Sequence, residues 1–125
     1  MWRAQVVSLP EAEWKRRAEE AMKKSKNGGI KFDENKPDYS LVPPNALDDV
    51  VKVLTIGAIK YDRHNWKKLD NINDRYFAAA QRHMWALLKD EIHDPETGIH
   101  HAGHAIACMM FLLENYYLQK EKNSV

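Results

Sequence analysis

Twenty-three residues, Arg82 to His104 (RHMWALLKDEIHDPETGIHHAGH), hold one arginine, five histidines and four carboxylates. Glu91 and Asp94 stand three apart, and so do His101 and His104. Residues three or four apart on a helix share a face. If one helix ends and another begins within this stretch, the two pairs can face each other across a turn and make a four-ligand metal site. Carboxylates bind hard cations and imidazole suits softer divalent metals, so this mixed set fits Mn²⁺, and Mg²⁺ with several waters kept. Arg82 and His83 lie two turns ahead of Glu91 on what reads as the same helix. Lys31, Lys36, Lys60, Arg63 and Arg82 add cations near such a metal, and that combination points to phosphate chemistry. A metal neutralises phosphate oxygens and lowers the pKa of a bound water. Arginine binds phosphate bidentately, and lysine supplies a point charge.

The elements that must position these groups read as helices. Ser8-Leu9-Pro10-Glu11 has capping-box spacing, and Glu11 to Lys26 is rich in good helix formers, docking through Trp14 and Met22. Asn27-Gly28-Gly29 ends that helix. Gly29 to Pro44 carries no helical period; its charges are Lys31, Asp33, Lys36 and Asp38. A connection this long is often functional. Ile30, Phe32, Tyr39, Leu41 and Val42 predict that it packs down on the body. Asn45 reads as the cap of a second helix, with Leu47, Val50, Val51, Leu54, Ala58 and Tyr61 on one buried face. Asn73 or Asp74 reads as the cap of a third, with Tyr76, Phe77, Ala80, Met84, Leu87 and Leu88 inward. A fourth helix runs from about Ile99 to Lys120 and is apolar nearly all round from Ala102 to Leu113, which places it centrally. Strand signals are almost absent. The fold class expected is all-α: a bundle of about four to five helices in a single domain, 1–125. Within it, 1–27 form an arm and surface helix, 28–44 a loop over the site and 45–120 the helical core.

The segment from Lys60 to Lys68, KYDRHNWKK, is dense in hydrogen-bonding and stacking groups. A tryptophan in such a segment normally seeks the core. Trp66 therefore either plugs the bundle end or offers a platform to a base, with Tyr61 and Asn65 beside it.

Composition bounds the rest. The chain has 125 residues, 44% hydrophobic and 30% charged, with a formal net charge of +1. Near-neutral charge argues against a nucleic-acid polymer as partner. The one cysteine, Cys108, excludes an intramolecular disulfide and fits an intracellular setting. No apolar run is long enough to span a membrane, and the N-terminus has no signal-peptide core, so a cytoplasmic protein without membrane contact is expected. A core this small would gain from burial at an oligomer interface.

The blocks GGIKFDENKP, LVPPNAL, GAIKYDRHNW, RHMWALLKDEIHDPETG and HHAGHAIACMMFLLE, in that order, resemble the phage-type dATP/dGTP diphosphohydrolase family. That family is related to the MazG-like all-α nucleoside triphosphate pyrophosphohydrolases. The similarity runs from about Gly28 to Glu114. It implies a helical bundle, usually a homo-oligomer, and Mg²⁺- or Mn²⁺-dependent cleavage of a purine deoxynucleoside triphosphate to the monophosphate and pyrophosphate. In phages that replace adenine by 2-aminoadenine, such an enzyme makes dGMP and lowers competing dATP. MazG-like enzymes carry ExxE then ExxD. Here Glu91-x-x-Asp94 is followed by His101-x-x-His104, so histidines take the second pair's place, or Asp48 and Asp49 supply ligands and the histidines stand behind them.

The expected assignment is therefore as follows. Glu91, Asp94, His101 and His104 hold the metal. Lys60, Arg82 and His83 neutralise developing charge, each donor contributing roughly 3 kcal/mol. Tyr61, Asn65 and Trp66 hold the base or sugar, and Lys31, Asp33 and Lys36 line the loop that closes over the phosphates. Two other classes fit the residues: an HD-type deoxynucleotide phosphohydrolase, which also uses His and Asp on helices, and a non-catalytic nucleotide-binding or interaction module.

Overall fold

The computed structural model describes residues 11–24, 36–68 and 70–123. Four α-helices carry the described chain: α1 Glu11–Lys24, α2 Pro44–Tyr61, α3 Ile72–Leu88 and α4 His101–Asn123, with short 3₁₀ turns at Tyr39–Leu41 and Asn65–Lys68. The all-α class expected from the sequence is what the structure has. Two compact units emerge, Met1–Leu41 and Val42–Val125. None of the described helices is long and apolar enough to cross a membrane.

In the first unit, α1 turns Trp14 and Met22 partly inward, as its sparse apolar positions predict. Its outer face is laced by ion pairs one turn apart: Arg16 reaches Glu20 at 2.6 Å, and Arg17 reaches Glu13 at 3.0 Å. Ser8 and its capping box, Lys31, Asp33, Ile30 and Phe32 lie outside the described residues. Tyr39 and Leu41 are 81% and 77% exposed, so the described end of the long connection does not bury the apolar residues expected to pin it.

The second unit begins at α2. Pro43 is the cap and Pro44 opens the helix, so Asn45 falls inside the first turn and not at the cap. The reason is local: proline's fixed φ suits a first helical position, and its missing N–H would be unpaired there anyway. At the start of α3 the cap is Asn71, in the left-handed region (φ 54°), and not Asn73 or Asp74. Asparagine tolerates that conformation better than most residues.

Helix α4 packs chiefly on α3 and secondarily on α2. Its buried side is His101, Ala105, Cys108 and Leu112, a stripe at four-, three- and four-residue steps. Small residues dominate the core: Ala80, Ala105 and Ala107 allow the helices to approach closely. At Gly103 a side chain would meet Asp49 Cβ and Ile99 Cγ2, each at 3.4 Å, so α2 and α4 cross there at near backbone contact. The expectation of a helix buried on all sides is corrected. Ile106, Met109, Met110 and Leu113 of α4 are exposed, as are Val51 and Ile59 of α2 and Met84, Trp85 and Leu88 of α3. The second unit buries one side of each helix and leaves apolar side chains on the other.

Candidate functional site

The corner between α3 and α4 is built by backbone closure. Asp90 takes the left-handed conformation (φ 67°), its N–H donates to Leu87 O at 2.9 Å, and Glu91 N–H donates to Ala86 O at 2.9 Å. This is a Schellman stop, usually made with glycine. It ends α3 at Leu88, so Glu91 and Asp94 stand in the following loop and do not share a helical face with each other or with His83. Their convergence on the histidines has a different origin. The loop doubles back: Asp94 N–H donates to Ile99 O and His101 N–H to Ile92 O, both at 2.9 Å, and His93 and His100 form an isolated antiparallel bridge. Gly98 (φ 74°) closes the tip, where its N–H meets Asp94 O at 2.7 Å. A side chain at this φ would be strained.

Three groups converge beneath this loop. One ligand atom each from His83, Asp94 and His101 lie within 4.8 Å of one another. His83 Nδ1 and His101 Nδ1 are 2.8 Å apart. His101 is 4% exposed, and its other nitrogen, Nε2, lies 2.8 Å from Glu91 Oε1. A carboxylate only accepts, so Nε2 carries a proton, and it is Nδ1 that is turned toward His83 and Asp94. A carboxylate that orients a metal-binding histidine through its second nitrogen is a recurrent arrangement.

Asp94 is held below the usual carboxylate range. Its burial works the other way, but the Thr97 N–H and hydroxyl, both 3.0 Å from Oδ2, outweigh it with help from His104 and His83. Burial pushes His83 down from its ordinary value, and the neighbouring His104 and His101 add to the effect. Burial lowers His104 as well, against the attraction of Asp94. The two pulls conflict, and burial wins: at 3.6 Å the His104 Nε2–Asp94 Oδ2 pair is too long for a direct hydrogen bond, and Thr97 Oγ1, 2.7 Å from Nε2, stands between them. His83 and His104 are therefore neutral near pH 7, and their rings stack at 4.5 Å with 12° between planes.

His104 also lines an open cleft of about 990 Å³. Trp66, Tyr76 and Phe111 form its aromatic wall: Trp66 stacks on Phe111 at 5.2 Å, and Tyr76 tilts against Phe111 at 4.8 Å. Tyr61, Arg63, His64 and Lys67 border it, with Lys67 Nζ over the Trp66 ring at 5.6 Å. Cys108 lies in the wall, its thiol pushed up to about 11 by burial, with no thiolate character at neutral pH.

The family model for dATP/dGTP diphosphohydrolase, N-terminal, matches residues 26–125. The chain belongs to this family. A protein of Salmonella phage PMBT28 named dATP/dGTP diphosphohydrolase is 45% identical over 84 residues, which is 67% of this chain and 28% of that protein. The chain thus spans under a third of the phage protein's length. No solved structure matches.

Within this chain, the residues singled out from the sequence divide clearly. Glu91, Asp94, His101, His104 and His83 meet at the α3–α4 corner. His83 enters the convergent set itself, while Glu91 reaches it through His101, and His104 through Thr97. Tyr61 and Trp66 line the cleft, whereas the Asn65 side chain is outside the described set. The Trp66 stack on Phe111 also makes it a plug for that end of the bundle. Lys60 is engaged in an exposed ion pair with Glu96 of the turn. Arg82 and Lys36 are exposed. Asp48 is exposed, and Asp49 lies against Gly103 with its carboxylate 3.9 Å from Lys52 Nζ; neither belongs to the cluster.

The sequence does not single out Thr97, Tyr76, Phe111 or Lys67 as site residues: Thr97 reads as part of a turn, Tyr76 as the inner stripe of α3, Phe111 as the apolar run of α4 and Lys67 as one more polar residue after α2. The available signal for Phe111 was its seven-residue step from His104, which puts both on one stripe.

Proposed function

We propose that this chain is the catalytic region of a metal-dependent hydrolase that converts dGTP or dATP to the monophosphate and pyrophosphate. The observation that carries the reading is the joining of two unlike halves at His104: a carboxylate–imidazole cluster on one side and an aromatic cleft bordered by cations on the other.

The donor set fits a divalent cation. Two imidazoles and one carboxylate with ligand atoms inside 4.8 Å span roughly twice a metal–ligand bond of about 2.0–2.5 Å. The mixture suits Mn²⁺ better than Mg²⁺, which prefers oxygen. His83, Asp94 and His101 would hold the ion, with Glu91 orienting His101. When bound, it would polarise phosphate oxygens and lower the pKa of a water.

The protein's own groups divide the remaining work. Trp66, Tyr76 and Phe111 offer ring faces to a purine, where stacking on aromatic side chains is worth about 1–3 kcal/mol. Arg63 and Lys67 at the cleft edge neutralise phosphate charge, with Arg82 supplying a fork-shaped donor from α3. Lys60 joins them only by exchanging Glu96 for phosphate. In a phage that replaces adenine by 2-aminoadenine, this reaction would supply dGMP and lower dATP. The similarity to a dATP/dGTP diphosphohydrolase supports the substrate class.

The cluster of two histidines and an aspartate also suits an HD-type phosphohydrolase, which would release tripolyphosphate or free phosphate. Incubation with dGTP, dATP, dCTP and dTTP plus Mn²⁺, with products resolved, separates the readings. Pyrophosphate and purine monophosphate are expected. Tripolyphosphate would move the chain to the other class, and full activity in Asp94→Asn would remove the cluster from the reaction.

A further inference from the structure

Thr97 sits where the two halves meet. Its Oγ1 lies 3.0 Å from Asp94 Oδ2, 3.2 Å from Ile99 N and 2.7 Å from His104 Nε2. A hydroxyl has one proton to give and two lone pairs to receive with. The Asp94 carboxylate only accepts, so the hydroxyl proton goes there. The Ile99 N–H only donates, so it fills one lone pair. The second lone pair faces His104 Nε2 and must be met by an N–H. The count closes in one way: His104 is protonated on Nε2 and bare on Nδ1. The reverse choice, with the hydroxyl donating to a bare Nε2, would set an oxygen lone pair against the Asp94 carboxylate at 3.0 Å.

We propose that Thr97 is a positioning residue for His104, holding it as the Nε2–H tautomer so that Nδ1 is the acceptor left to a residue that lines the cleft. No described residue donates to that Nδ1. An acceptor nitrogen takes a hydrogen from an O–H group and repels an ionised phosphate oxygen. His104 therefore orients a hydroxyl donor, a water or the sugar hydroxyl, and leaves the triphosphate to the cations. The placement of that donor rests on the cleft being the substrate site; the tautomer does not.

The tautomer can be read directly, without nucleotide or turnover. Long-range ¹H–¹⁵N correlation spectra of the imidazoles, recorded above pH 7 and assigned with His104→Gln, separate protonated from bare nitrogens. The wild type and Thr97→Ser should place the proton of His104 on Nε2, while Thr97→Val should give a mixture of tautomers. A proton on Nδ1 in the wild type would overturn the proposal, and so would an unchanged His104 spectrum in a folded Thr97→Val. If Thr97→Val does not fold, the wild-type and Thr97→Ser spectra still decide. Activity then identifies the donor. Thr97→Val should lose roughly 10- to 100-fold, the range seen when a group behind a metal ligand is removed, and Thr97→Ser should restore most of it. The loss falls on kcat if the donor is the attacking water, and on KM if it is the sugar hydroxyl. Pyrophosphohydrolase activity that is absent in every form, with the tautomer as assigned, would refute the proposed reaction and not the role of Thr97.

Discussion

Removing the Glu91 carboxylate tests the idea that His101 is aimed from behind. In Glu91→Ala the His101 Nε2–H loses the acceptor it holds at 2.8 Å, and His101 is 4% exposed, so water does not replace that acceptor freely. A hydrogen bond to a charged group contributes about 1.5–3 kcal/mol. The Glu91 side chain is 52% exposed, and solvent screening brings the expected loss down to about 1 kcal/mol. For a chain of this size that lowers Tm by about 3–6 °C. The freed ring can turn or change tautomer, so the larger effect should fall on the cation: Mn²⁺ affinity, read by titration calorimetry, should drop roughly 10- to 100-fold. Glu91→Gln keeps an acceptor oxygen and should recover most of the Tm but only part of the affinity. If Glu91→Ala binds Mn²⁺ as tightly as the wild type while His101→Ala does not bind it, Glu91 does not orient His101 and the argument fails.

Two further outcomes follow from the same corner. Asp90 occupies a left-handed position that glycine fills without strain (φ 67°), so Asp90→Gly should raise Tm by stabilising about 0.5–1 kcal/mol, and Asp90→Val should lower it, both measured by thermal melting. For pH, the unfolded chain takes up protons at the ordinary histidine value of 6.5, while half-buried His83 and His104 resist until lower pH. More protons on the unfolded state mean that stability falls as pH drops below 6.5, and Asp94, ordinarily near 3.8, loses its contribution only further down, as pH passes through its lowered value. His104→Gln should flatten the Tm profile between pH 6.5 and 5; an equally steep profile would contradict burial as the cause.

The helices were legible because their signals are periodic. Helices α2, α3 and α4 lie within a few residues of their expected bounds, and α4 packs on both α3 and α2 although its far side is exposed. The ends were less legible because they rest on backbone conformation that several residue types can adopt. Pro44 took the start of α2 from Asn45, Asn71 took the cap of α3 from Asn73 or Asp74, and Asp90 stopped α3 where no glycine marks a stop. That last point matters most for the site. The i, i+3 spacing of Glu91 and Asp94 suggested a shared helical face, yet the loop that follows Asp90 brings them to the histidines by doubling back. The spacing pointed to residues that do converge, but by a loop reversal and not by a shared helical face. His83 was legible only as a flank, since its partner His101 is 18 residues away and depends on how α3 and α4 pack.

The division of labour along α4 explains why one helix can serve both halves. His104 and Phe111 are seven residues apart, about 20° short of two full turns, so they share the stripe that walls the cleft. His101 precedes His104 by three residues, about 60° around the axis, and that rotation turns it out of the cleft and under the α3–α4 loop. A purine against Phe111 and a phosphate near the cluster would then be separated by about 10 Å of rigid helix, set by residue count and not by a flexible loop. Gly103 anchors the His104 end of this ruler, because the close approach of Asp49 brings α4 against α2 between the two histidines. Specificity for the distance between base and reacting phosphorus would therefore reside in α4.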